Sequence, residues 1–212
     1  MKSWYTEAQI KRAADRASAA FEFLLHRAPT PTELSVLLSQ AAIEGGFGEA
    51  RYRAWNEDAS APVSYCPPLY NWGAFHEMRD KAELGDLPPC AGLDHHADGS
   101  RYLAWLARWS SPELGALGWL KALHGPKFNP RGELFAAAER GDIPAFAAVL
   151  KKQHYYEAPE SSYVAAMRVH HPKILNVVAP AAPSSPPFSV LPFLGLASLV
   201  LLGATVATKG KG

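Results

Sequence analysis

Two runs of apolar residues near the start of the chain repeat every three or four positions. Only a helix gathers residues at that spacing onto one face. Ile10, Ala13, Ala14, Ala17, Phe21, Leu24 and Leu25 form the first stripe. Leu34, Leu37, Leu38 and Ala41 form the second, and Gly45-Gly46 stops it. Thr6 with Gln9, and Thr30 with Glu33, are spaced as capping boxes, and Pro31 suits a first helical position. Two helices with defined starts must bury their stripes against other elements, which favours a helix-on-helix architecture.

From Phe47 to about Asp98 this period is lost, and Pro, Gly, Asn and Asp are frequent. That stretch reads as loops with a small hairpin. After Ser100, Tyr102, Leu103, Trp105, Leu106 and Trp109 fall on one side of an expected helix. Ser111-Pro112-Glu113 starts another, running through Leu114, Leu117, Leu120 and Leu123. Shorter helices are expected over Gly132 to Arg140, Ile143 to Gln153 and Glu160 to Val169, with His170-His171 at a helix end. The predicted fold class is mainly all-α, with an irregular loop and hairpin lobe after the second helix, over residues 1–178.

The end of the chain has another character. Residues 179–187, "APAAPSSPP", read as a semi-rigid linker. Phe188 to Thr208 contains no charged residue. About 20 such residues in a helix cross the ~30 Å hydrocarbon core of a bilayer. Residues 188–208 are therefore expected to form a transmembrane helix. The basic tail 209–212 follows, with Lys209 and Lys211 at the headgroup layer.

Lys and Arg number 21 against 20 Asp and Glu, a formal net charge of +1. That balance argues against a nucleic-acid partner, which calls for a basic stripe. Met1 to Arg16 is polar and lacks the apolar core of a secretory signal. Cys66 and Cys90 bracket the stretch that holds "YNWGAF". They admit three readings: a disulfide, two free thiols, or a zinc site with one of His76, His95 or His96. No Cys-x-x-Cys pair is present, and neither metal nor cofactor is expected.

Glu44 ends the second helix, where the dipole disfavours negative charge. It falls on the shoulder of the apolar face, so partial desolvation acts in the same direction. Both effects are expected to favour the protonated acid, the form that a glycosidic oxygen needs as a proton donor. The plain alternative is a solvated helix-terminal carboxylate. Downstream, Tyr70, Asn71, Trp72 and Phe75 surround Gly73. Flat rings stack on sugar faces, an Asn amide both donates and accepts, and glycine lets backbone approach a ligand. The plain alternative here is a turn around a buried Trp.

Together, "LLSQAAIEGGFG" and "YNWGAF" resemble the signature of lysozyme-like peptidoglycan hydrolases, in particular the glucosaminidase and lytic transglycosylase families that include phage lysins. "HYYEAPESSYVAAM" and "YLAWLARWSSPELGALGWLKAL" also resemble that pattern, and the likeness spans Trp4 to Ile174. The resemblance implies that Glu44 is the general acid and Tyr155 the cleft tyrosine. It further implies that Asn71, Trp72 and Gly73 form the sugar-binding turn, with Tyr70, Phe75 and Tyr156 beside it. Tyr163 falls at a second tyrosine position. Gly45 stands where Ser or Thr is usual, and Glu157 where Thr is common. Glu57 and Asp58 are the nearest candidates for a second acid; if neither reaches the cleft, the resemblance implies a single-acid reaction in which Glu44 acts first as acid and then as base.

The implied activity is cleavage of β-1,4 bonds in GlcNAc-MurNAc chains, by hydrolysis or transglycosylation. The implied partners are peptidoglycan strands, a lipid membrane through residues 188–208, and virion proteins if the chain is a phage lysin. Its expected location is a phage virion membrane or a bacterial envelope. Two alternatives stand beside this. One is a non-catalytic wall-binding membrane protein that keeps the cleft. The other is an enzyme of chitin-like polymers, whose families share "E-x-G-G-F" but carry a later Tyr- and Gly-rich motif absent here.

Overall fold

The computed structural model describes residues 5–48, 70–76, 84–96, 98 and 100–179. The chain divides into two units, 1–180 and 181–212. The candidate second acids Glu57 and Asp58, Cys66, nearly all of the linker, the expected membrane span 188–208 and the basic tail lie outside the described residues. Among the described residues no helix is long and apolar enough to cross a membrane.

Six α-helices and one hairpin make up the described part of the first unit. They are α1 (Glu7–Leu25), α2 (Pro31–Glu44), β1 (Leu87–His95), β2 (Arg101–Arg108), α3 (Pro112–His124), α4 (Glu133–Glu139), α5 (Ile143–Lys152) and α6 (Glu160–Val178). Both capping boxes form. The Thr6 hydroxyl accepts from the Gln9 N–H, and the Thr30 hydroxyl accepts from the Glu33 N–H. Ser111 caps α3 by accepting from the Leu114 N–H. The buried face of α1 is the expected one, Ile10, Ala13, Ala14, Ala17 and Phe21, joined by Ala20. In α3 the buried face is rotated from the expected leucine stripe. Ala116, Trp119, Leu120 and Leu123 are buried, whereas Leu114 is exposed.

Helix α2 departs most from a one-faced reading. Every residue from Glu33 to Ala42 is buried, because α1, α4 and α6 pack around it. Its polar side chains are satisfied internally, as burial requires. The Ser39 hydroxyl donates to the Ser35 carbonyl at 2.6 Å, and Ser35 meets His171 Nε2 at 3.0 Å. Glu33, fully buried, takes a two-pronged ion pair from Arg27 at 2.8 and 2.9 Å. This hydrogen bond is the main reason the Arg27 guanidinium is held above its usual range. Arg27→Ala leaves a buried carboxylate without its cation. The expected cost is about 3 kcal/mol, measurable by urea unfolding. A loss below about 1 kcal/mol would show that water reaches Glu33 readily.

Three expectations are corrected. Residues 101–108 form a strand, not a helix. Spacing of two within this short run also fits a pleat: Ala104 and Leu106 point inward while Leu103 is exposed. Second, β1 lies in the stretch expected to hold a small hairpin, but it pairs with residues beyond that stretch. Its Pro88 and Pro89 sit at a break in the antiparallel register between Leu87 and Cys90, where a ladder N–H is dispensable. Third, His170 and His171 lie inside α6, which runs on through Pro172 to Val178.

Burial holds both His170 and His171 below the ordinary histidine range. An unfolded chain protonates its histidines near pH ~6.5. Below that value the unfolded state binds more protons than the folded one, so stability falls as pH drops. Melting temperature is expected to decline from pH about 7 to about 5. The slope should flatten in His170→Gln, and an unchanged slope would remove His170 from this account.

Candidate active site

Glu44 is the last residue of α2, and the Gly45 N–H still bonds to the Ala41 carbonyl at 3.1 Å. Beyond it Gly46, Phe47 and Gly48 all take positive φ, so the chain turns away within three residues. Glu44 is half-buried and lines a cleft. The Tyr163 hydroxyl, from the first turns of α6, donates to Glu44 Oε1 at 2.7 Å. Tyr163 itself is buried, and its ring lies flat on Tyr156 with centroids 3.7 Å apart. Burial, reinforced by the Glu44 charge, pushes the Tyr163 hydroxyl well above its ordinary value. Burial likewise pushes Tyr156 up to about 12, with the Glu160 and Glu44 charges adding. Both phenols therefore stay protonated near neutral pH.

A second chain of hydrogen bonds runs alongside. Trp119 Nε1 donates to Gln40 Oε1 at 2.8 Å, and Gln40 Nε2 donates to the Tyr155 hydroxyl at 2.6 Å. Tyr155 in turn donates to the Gly73 carbonyl at 2.5 Å. Gln40 sits one helical turn before Glu44 on α2, so one helix fixes both the acid and this relay. The Tyr155 ring meets Phe75 and Phe128 edge-on at 5.8 and 5.1 Å.

The Tyr70–Phe75 turn is wedged between two helices. A Cβ on Gly45 would stand 1.9 Å from the Asn71 carbonyl oxygen, and one on Gly115 would stand 2.0 Å from that of Tyr70. No side chain fits either gap. The turn's own residues divide by role. Asn71 Nδ2 donates to the Phe75 and Ala107 carbonyls, and its Oδ1 accepts from the Phe75 N–H. Trp72 is fully buried and stacks on Trp119 at 5.4 Å. Asn71 and Trp72 thus hold the turn from within, and neither lines the cleft. Tyr70 also falls outside the cleft lining. Through Asn71, the Phe75 carbonyl and the Ala107 N–H, the same turn ties the hairpin to the helical body.

The cleft has a volume of about 1230 Å³. Of the expected site residues, Glu44, Gly73, Phe75, Tyr155 and Tyr156 line it. So do Tyr163, Glu157, and from the hairpin side His76 and His96, weighed in the sequence only as zinc ligands, and Tyr102, which sequence reasoning left without a role in the cleft. A signal existed for Tyr163, which lies on the inner face of α6, and for Gln40, four residues before Glu44. Tyr102 had none, because residues 101–108 read as helix.

Lys151 braces the loop that carries Tyr155 to Glu157. Its ammonium donates to the carbonyls of Glu157, Ala158 and Tyr156 at 2.7, 2.9 and 3.3 Å, using all three N–H groups. Cys90 is disulfide-bonded, which counts against both the zinc and the free-thiol readings; Cys66 lies outside the described residues. Among the described residues no group of His, Cys, Asp and Glu side chains is placed to hold a metal ion.

No protein-family model and no curated protein sequence matches the chain. Solved structures do. A peptidoglycan hydrolase mutant from Sphingomonas sp. A1 aligns with a TM-score of 0.52 at 20% identity, over 82% of this chain and 97% of that one. The catalytic domain of the autolysin Auto from Listeria monocytogenes aligns at 0.47 and 16% identity, covering 84% of this chain and 89% of that one. A glycoside hydrolase domain of Salmonella typhimurium FlgJ aligns at 0.45 and 16% identity, covering 80% and 95%. The Sphingomonas match, nearly complete over that protein's length, gives this chain the fold of a lysozyme-like peptidoglycan hydrolase.

Proposed function

We propose that the chain is a glycosidase that cleaves β-1,4 bonds of peptidoglycan glycan strands, with Glu44 as general acid, tethered to a membrane through residues 188–208. The observation that carries the catalytic part is Glu44 itself. It is a half-buried carboxylate in the lining of an aromatic-rich cleft, oriented by the Tyr163 hydroxyl at 2.7 Å. The charge-free run Phe188 to Thr208 supports the tether.

In this reading a sugar chain lies along the cleft against Phe75, Tyr155 and Tyr156. Glu44 transfers its proton to the glycosidic oxygen as the C1–O bond breaks. The bond's electron pair goes to that oxygen, which leaves as a hydroxyl. Attack on C1 by water gives a reducing end, and attack by the sugar's own 6-hydroxyl gives an anhydro end. Gly45 fits this reading as it stands. Its place is set by the space beside Asn71, so the lack of a hydroxyl there is a packing requirement and says nothing against catalysis.

The test is digestion of purified peptidoglycan by the full chain in detergent, with Glu44→Gln alongside and products read by mass spectrometry. Muropeptides from the wild type alone are the expected result. Binding of the polymer by both proteins with cleavage by neither would make the chain a wall binder.

A further inference from the structure

We propose that His96, held by Glu157, is the general base of this cleft; the proposal rests on the glycosidase reading above. In a single-displacement reaction a group other than the acid takes the proton from the attacking hydroxyl. Among the described residues, Glu157 is the other carboxylate that lines the cleft with Glu44, and it stands next to His96. His96 Nδ1 lies 3.4 Å from Glu157 Oε1. Catalytic hydrogen bonds are commonly long before substrate arrives and tighten afterwards.

Each partner is anchored from its own side. The His96 N–H bonds to the Ser100 carbonyl at 2.8 Å, which closes the hairpin end. The His96 ring stacks on Tyr102 at 4.4 Å and 25°, and this fixes its plane. The Glu157 carbonyl is gripped by the Lys151 ammonium at 2.7 Å, which fixes the backbone that carries the carboxylate. The contact therefore joins the hairpin to the tyrosine loop across one cleft.

A carboxylate on Nδ1 holds the imidazole in one tautomer and leaves Nε2 to accept a proton. The step balances as follows. Glu44 gives its proton to the departing glycosidic oxygen. A water oxygen, or the sugar's 6-hydroxyl oxygen, bonds to C1 and passes its proton to His96 Nε2. The Glu157 carboxylate stabilises the resulting imidazolium. His96 then returns its proton to solvent, and Glu44 takes one up. His96 is the catalytic residue here, and Glu157 is a positioning residue.

The test uses the full chain in detergent on purified peptidoglycan, with kcat and KM measured separately. His96→Gln should lower kcat by about 10²-fold with KM within about threefold, and Glu157→Gln by about tenfold. The double variant should be no slower than His96→Gln alone, because the two act as one unit. Added imidazole should restore activity to His96→Gly, a rescue that a merely structural histidine would not allow. A kcat within threefold of wild type in His96→Gln overturns the proposal. So does loss in Glu157→Gln with His96→Gln intact, which would make Glu157 the base. Loss in Glu57→Gln or Asp58→Asn with His96→Gln intact would move the base there. These outcomes leave the glycosidase reading standing, whereas an inactive wild type removes that reading and the dyad together.

Discussion

Glu44→Gln lowers kcat on peptidoglycan strands by about 10³-fold or more and leaves the fold intact. The amide is nearly the same size as the acid and still accepts the Tyr163 hydrogen bond, so packing changes little. What it lacks is a transferable proton. General acid catalysis contributes typically about 10²–10⁴-fold, and a leaving sugar oxygen is a poor leaving group without it. Tyr163→Phe supplies the matched comparison. It keeps the ring stacked on Tyr156 and removes the hydroxyl that orients Glu44. A displacement of about 1 Å at a reacting group can cost about 10²-fold, so an intermediate loss of roughly 10–10² is expected. Equal activity in wild type and Glu44→Gln would remove Glu44 from the chemistry.

Gly45→Ser restores the residue type common in the resembling families, yet here it should destabilise by about 3 kcal/mol, the upper end of the overpacking range. The new Cβ meets a backbone oxygen at 1.9 Å, and backbone cannot rotate away as a side-chain tip can. Either α2 or the 70–75 turn must shift. Because Glu44 precedes Gly45 and Gly73 follows Asn71, the shift reaches the acid and one cleft wall together. Thermal melting and kcat should therefore fall in parallel. A Gly45→Ser protein as stable as wild type would show that the turn has room the geometry denies. Gly115→Ala, against Tyr70 from the other side, is the companion test.

Much of the helical frame could be read from residue order. The caps at Thr6, Thr30 and Ser111 and the α1 stripe are local features, decided within a few residues of chain. Glu44 could be singled out because its placement at a helix end before two glycines is also local. The hairpin could not. Tyr102, Leu103, Trp105 and Leu106 satisfy either period over so short a run, and the deciding factor is a partner strand that carries two prolines after its first residue. The inner turn misled for a related reason. Asn71 and Trp72 look like sugar ligands in sequence, but the Phe75 and Ala107 carbonyls take up the Asn71 amide and Trp119 of α3 takes the Trp72 ring. His96 and Glu157 lie 61 residues apart, and only the folded hairpin brings them together.

The burial of α2 on every side bears on how the site moves. A segment enclosed by three other helices has no route to open by itself, so its amides should exchange with solvent only when the whole unit unfolds. Glu44, the proposed proton donor, is thus mounted on an anvil. Under the proposed function, accommodation to glycan strands of different width falls to the part of the cleft where the hairpin and the tyrosine loop meet through the exposed His96–Glu157 contact.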